Sequence, residues 1–164
     1  MTRMDELPEN AKIKSSFGGE NYKKKAEEKV SNYEKVKKGQ AAVLEIPGKL
    51  PTLNDLINAA KTNIHAYQQL KEDEQEKIGW YIKQQKIPFF KKCEIDITYY
   101  RPDRMADIDN ISAAAKKLIL DSLVEQGTIQ DDCWSVVKGF EESFEVDKER
   151  PRTEVILREV EDES

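Results

Sequence analysis

The sequence predicts one mixed β-sheet with covering helices, an α/β or α+β domain whose elements run β-α-β-α-β-β. Three observations carry that expectation. Residues 89–100 alternate apolar and polar with a period of two, the pattern of a half-buried strand. Two longer stretches, Leu56 to Leu70 and Ile111 to Val124, repeat their apolar residues at helical spacing. Glycine and proline stand at the joints between these runs. A chain of 164 residues is long enough for one sizeable core. We therefore expect an N-terminal arm over residues 1–40, partly helical or mobile, and one domain over residues 41–164.

Within the arm, Tyr22, Ala26, Val30 and Tyr33 fall at helical spacing in a lysine-rich segment, which admits one amphipathic helix. The run Lys23-Lys24-Lys25 reads as a solvated face or as a DNA-contacting arm. Ala41 to Ile46 is a short strand stopped by Pro47-Gly48. Pro51-Thr52 then sets up a helix, with Thr52 or Asn54 as its cap and a stripe through Leu56, Ala59, Ala60, Asn63, Ile64, Tyr67 and Leu70. Ile78, Tyr81 and Ile82 resume the stripe after a charged cluster, so a long or kinked helix over about 54–85 is expected, with Pro88 forbidding its continuation.

In the strand over 89–100, Cys93, Ile95, Ile97 and Tyr99 share one side. A second helix over about 110–125 is stopped by Gly127. Two strands close the chain, Trp134 to Phe144 and Thr153 to Val160. The short turn between them, ending at Pro151, predicts antiparallel neighbours.

Composition narrows the possible functions. No apolar run is long enough for a membrane span, and the N-terminus lacks the apolar stretch of a secretory signal. Two cysteines without a close pair read as free thiols in a reducing cytoplasm, and one histidine cannot anchor a zinc cluster. Charge is uneven. Residues 1–40 hold ten Lys/Arg against seven Asp/Glu, whereas residues 107–164 hold seven against sixteen. An acidic chain does not advertise a duplex-binding surface, although carboxylates around a cation count differently once the ion is bound.

The chemistry concentrates in residues 101–134. Asp107-Ile108-Asp109-Asn110 precedes the second helix, and Asp131-Asp132 follows it. Side chains at i and i+2 converge in extended backbone but lie about 200° apart on a helix. Asp107 and Asp109 therefore share an ion only if they precede the first full turn, with Asp109 or Asn110 as the cap. Bare carboxylates so close repel unless protonated or bridged by a cation. Magnesium or manganese suits hard oxygen donors. If the strand after Asp132 neighbours the 89–100 strand, the acidic pair returns to the sheet end of Asp107 and Asp109. Asp107, Asp109, Asp131 and Asp132 are thus the candidate metal ligands, and three carboxylates on one or two cations suit phosphodiester hydrolysis. The bland alternative leaves them as caps and loop residues.

Lys117 or Lys116 is placed to stabilise developing charge, although Lys117 also stands at i,i+4 from Asp121 as a surface pair. His65 reads as a helix residue, and Tyr99, Tyr100 and Trp134 read as sheet packing before base-stacking platforms.

In order and spacing these pieces resemble the RusA family of Holliday-junction endonucleases, small enzymes often carried by phages and prophages. The matching elements are Pro102-Asp103-Arg104, Asp107-Ile108-Asp109-Asn110, Lys117, Asp121-Ser122-Leu123, Gly127 and Asp131-Asp132, with Pro51-Thr52-Leu53-Asn54 upstream. The resemblance covers approximately residues 41–160. It implies catalytic carboxylates at Asp107, Asp109 and Asp132, magnesium or manganese as cofactor, a homodimer, and cleavage of four-way junctions or related branched DNA. It implies a catalytic lysine at Lys117 when counted from Asp121-Ser122-Leu123; counted forward from Asp109 the position is Ala113, one turn or about 6 Å away. The N-terminal arm, the lengthened first helix and the acidic last third depart from the family's pattern. With so acidic a chain, backbone contact with DNA falls to the arm and to Lys61, Lys91, Lys92, Arg101, Arg104 and Lys116. A non-catalytic DNA-binding or structural dimer retaining this fold is the competing reading.

Overall fold

The computed structural model describes residues 40–161, so the expected helix over Tyr22–Tyr33 lies outside the described residues. Among the described residues the fold is α+β: one four-stranded mixed sheet and three helices. Strand β1 spans Ala41–Pro47, helix α1 Leu53–Thr62, helix α2 Ile64–Gln84, strand β2 Cys93–Arg101, helix α3 Ile108–Glu125, strand β3 Val137–Val146 and strand β4 Arg152–Glu159. The single long helix expected over 54–85 is two helices. Asn63 sits between them in extended backbone, ending α1 and capping α2 through its side chain, which accepts from the Ala66 amide at 2.7 Å. Asparagine competes well for such a role because its amide oxygen replaces a missing helical acceptor.

Local chemistry explains most boundaries. Thr52 opens α1 with a reciprocal box: its hydroxyl accepts from the Asp55 amide, and the Asp55 carboxylate accepts from the Thr52 amide. Helix α3 ends at Gly127, whose φ of +72° is costly for residues with a Cβ. There the Thr128 amide donates to the Leu123 carbonyl and the Gly127 amide to that of Val124. Helix α2 closes in the same way four residues ahead of Pro88, with Lys86 at φ 52°. Its last residues also protect an edge of the sheet. The buried Gln85 amide both donates to the Glu45 carbonyl and accepts from the Glu45 amide, each at 2.8 Å, satisfying β1's outer backbone.

The sheet order is β1-β4-β2-β3, with β4 antiparallel to both neighbours and β2 parallel to β3. Two expectations are corrected here. Strands β3 and β4 are not paired, because β2 lies between them; a short connection permits hairpin pairing but does not compel it. Strand β3 is an edge strand beginning at Val137, and Trp134 stands 93% exposed before it instead of packing in the sheet. Tyr99 and Tyr100 are buried, as expected of sheet residues.

Helix α1 packs against α2 and α3, and these two cover one face of the sheet. Ala42, Leu44, Ile46, Ile95, Ile97, Tyr99, Val155 and Leu157 project there against Ile78 and Ile82 of α2 and Leu118, Ile119 and Leu123 of α3. Each large aliphatic side chain removed from water contributes about 1.5–3 kcal/mol before the entropy cost of ordering it. This core holds α3 rigidly, so the positions of its polar residues follow from which of its sides is apolar.

Candidate functional site

Strands β1 and β2 end, and β4 begins, on one side of the molecule, where Pro47 pairs with Arg152 and Tyr100 with Arg152. Residues 101–109 leave the sheet here. Arg101, Asp103, Arg104, Asp107 and Glu145 line a depression of about 430 Å³ at this end. Arg101 is anchored by donating to the Leu50 carbonyl at 3.2 Å, and burial lowers its basicity against the opposing pull of Asp103 and Asp55. The Met105 amide donates to the Asp103 carboxylate at 3.0 Å, shaping the turn that presents Arg104 to solvent.

Asp107 is the N-cap residue of α3, a role expected of Asp109 or Asn110. Its backbone is extended (φ −68°, ψ 146°), and its side chain makes no capping hydrogen bond. Asp109 already lies within the first helical turn. Both carboxylates therefore face the partial positive charge of the helix start.

Asp131 and Asp132 emerge elsewhere. Because β3 runs parallel to β2, its start at Val137 lies beside Cys93, the opposite end of β2 from Arg101. Helix α3 spans the distance between the two acidic elements. Asp132 instead meets the helix partway along: Lys117 Nζ lies 3.0 Å from Asp121 Oδ1 and 3.8 Å from Asp132 Oδ2. The Asp132 amide donates to the Asp131 carboxylate at 2.8 Å, which ties the two together. Hydrogen bonding and charge from Asp121, with a smaller contribution from Asp132, raise the basicity of Lys117 and keep it an ammonium. Asp109 and Lys117 occupy one i,i+4 row of α3, about 12 Å apart along the axis.

The two lysines weighed from sequence go different ways. Lys116 donates to Glu142 of β3 at 2.9 Å and lies over the Phe140 ring, 5.2 Å from its centroid. Glu142 also accepts from Ser112 at 2.5 Å and from Tyr99 at 3.0 Å. Burial pushes its carboxyl up, but the hydrogen bonds from Ser112, Lys116 and Tyr99 outweigh this and hold it below the ordinary value. Sequence reasoning missed Glu142. The signal available was its place in a charged run, whose inward-facing member becomes recognisable only once β3 is paired with β2.

The remaining basic candidates divide between the ends of the sheet. Lys91 and Lys92 precede β2, on the side of Asp131 and Asp132, whereas Arg101 ends it and Arg104 follows it on the side of Asp107. Lys61 is exposed in the last turn of α1, and His65 is exposed in the first turn of α2. The acidic donor set is of the right kind for a hard cation, but it is divided: among the described residues no three His, Cys, Asp or Glu side chains gather into a group able to hold one. Among the same residues no helix is long and apolar enough to cross a membrane.

No protein-family model matches the chain, and comparison with curated proteins finds no match.

Proposed function

We propose that this chain is a RusA-like, metal-dependent endonuclease that hydrolyses phosphodiester bonds in Holliday junctions or related branched DNA. The observation that carries the reading is the meeting of Lys117 with Asp132. Two residues singled out by one motif pattern, separated by a helix end and a loop, come together on the exposed side of α3. A second support is the depression that joins Asp107 to Arg101 and Arg104, a carboxylate beside cations suited to a phosphate backbone.

In this reading Arg101 and Arg104 hold the backbone at the acidic turn, and Lys117 neutralises charge developing on the phosphate or leaving oxygen. Magnesium, with manganese as the alternative, is the cation suited to the hard oxygens of Asp107 or Asp109; when bound it would supply positive charge and an activated water. Asp109, already inside the first turn, does not meet the extended-backbone condition for both to share one ion. Asp132, with Asp131 beside it, belongs to that carboxylate set by motif but is engaged with Lys117 instead. Lys116 is assigned to Glu142 and not to DNA.

Paired incision of a four-way junction calls for a homodimer, since two-fold DNA presents two equivalent strands. Leu53 and Ile57 of α1, with Ile64 and Trp80 of α2, leave large apolar side chains exposed and are the proposed interface contributors.

The test is cleavage of a synthetic four-way junction by the purified chain with magnesium or manganese. Asp109→Asn is expected to suppress cutting while leaving the circular dichroism spectrum unchanged. Full cleavage by the folded variant, with contaminating nuclease excluded, sinks the assignment. The division of the carboxylates favours one competing reading, a DNA-binding dimer without catalysis. Junction binding without cleavage in either metal would select it.

A further inference from the structure

The sheet has a second face that the described helices do not serve. Strand alternation puts Val43 and Glu45 of β1, Glu154 and Ile156 of β4, and Thr98 of β2 on this side, away from the helix-covered core. These five residues are nevertheless only 0–1% exposed. The face is strongly acidic. At the paired positions Glu94, Asp96, Glu141 and Glu145 join Glu45 and Glu154, against Arg152 and Arg158, with Arg150 reaching Glu45 from the preceding turn. A shallow pocket lined by Asp96, Glu141, Ile156 and Arg158 opens on it.

We propose that residues 21–39 of the same chain dock across this face as a basic cover. Charge favours them: the segment holds seven lysines against three glutamates, a surplus opposite in sign to that of the face. Pattern favours them as well, since Tyr22, Ala26, Val30 and Tyr33 supply an apolar stripe for the Val43–Ile156 row. Reach is sufficient. The described chain begins at Gln40, directly before the edge strand β1. Six linking residues span up to about 20 Å, and four strands are only about 14 Å across. The docked segment uses its lysines within the molecule, so they are withdrawn from DNA contact.

Zero-length carbodiimide coupling of lysine to carboxylate, read by mass spectrometry on the full chain, tests the proposal. An equal mixture of ¹⁵N-labelled and unlabelled protein separates contacts within one chain from contacts between copies. Cross-links from Lys23–Lys38 to Glu94, Asp96, Glu141 or Glu145 are expected, with both peptides carrying the same label. Mixed-label cross-links at the same sites would make a second copy the occupant and overturn the assignment, as would their absence. Glu141→Lys/Glu145→Lys, on the edge strand β3, is expected to lower the yield at the remaining carboxylates several-fold. An unchanged yield there would show that charge does not seat the segment.

Discussion

Lys117 Nζ lies 3.8 Å from Asp132 Oδ2, a contact that joins the exposed side of α3 to the loop leading into β3. The same ammonium is 3.0 Å from Asp121 one turn further along α3, so it stands between two carboxylates. Lys116, its neighbour in sequence, turns instead toward Glu142 on the edge strand. About 100° of helix rotation separates the adjacent residues and gives them different work.

Under the nuclease reading, Lys117→Ala should lower junction cleavage about 10²-fold or more, in the range seen when a charge-stabilising donor is removed. Lys116→Ala should leave cleavage nearly intact but destabilise the fold, because Glu142 loses a donor. Single-turnover cleavage and urea unfolding on both variants check this. Equal loss of cleavage in the two would reject the division of roles.

Stability should depend on pH through Glu142. Its folded carboxyl is held below its ordinary value of 4.5, so its contribution is fully present above that value. It is lost as pH falls through the lower, folded value. Glu142→Gln should therefore be less stable than the unaltered chain near pH 7, with the gap narrowing at a pH well below 4.5. Urea midpoints at both pH values measure the gap, and a gap independent of pH would remove Glu142 as its source.

Arg152 should be costly to remove. It is 5% exposed and contacts Glu154 at 3.3 Å, Asp147 at 2.8 Å and Glu45 at 3.9 Å, while its guanidinium lies 3.7 Å from the Tyr100 ring centroid. Glu45 and Glu154 are directly paired across β1 and β4, both nearly inaccessible. Arg152→Met leaves these carboxylates short of a cation, at an expected cost of about 3–5 kcal/mol. The combined Glu45→Leu/Glu154→Leu/Arg152→Met variant should recover much of that loss in chemical denaturation.

The two thiols should differ sharply in reactivity. Cys93 is buried at the start of β2, and burial pushes its thiol up to about 11, leaving it neutral and inaccessible. Cys133 is partly exposed in the loop before β3, 3.0 Å from the Ser135 hydroxyl. A disulfide-exchange reagent should titrate one thiol quickly in the native chain and both in denaturant. Two fast native thiols would contradict the burial of Cys93.

Sequence by itself determined the elements whose signals are local. The alternation through Cys93, Ile95, Ile97 and Tyr99 marks β2, Thr52 marks the start of α1, and Gly127 marks the end of α3, because periodicity, capping and left-handed backbone each act within a few residues. It also located the acidic motifs on either side of α3. Tertiary structure decided everything that depends on which strand lies beside which. The placement of β2 between β3 and β4, the partition of Lys116 from Lys117 and the recruitment of Glu142 all depend on pairing or packing across distant residues. A local pattern says which side of a strand or helix is apolar. Only the shared burial of many such sides chooses their neighbours, and the parallel pairing of β2 with β3 carries the start of β3 away from Asp107 and brings Asp132 to Lys117.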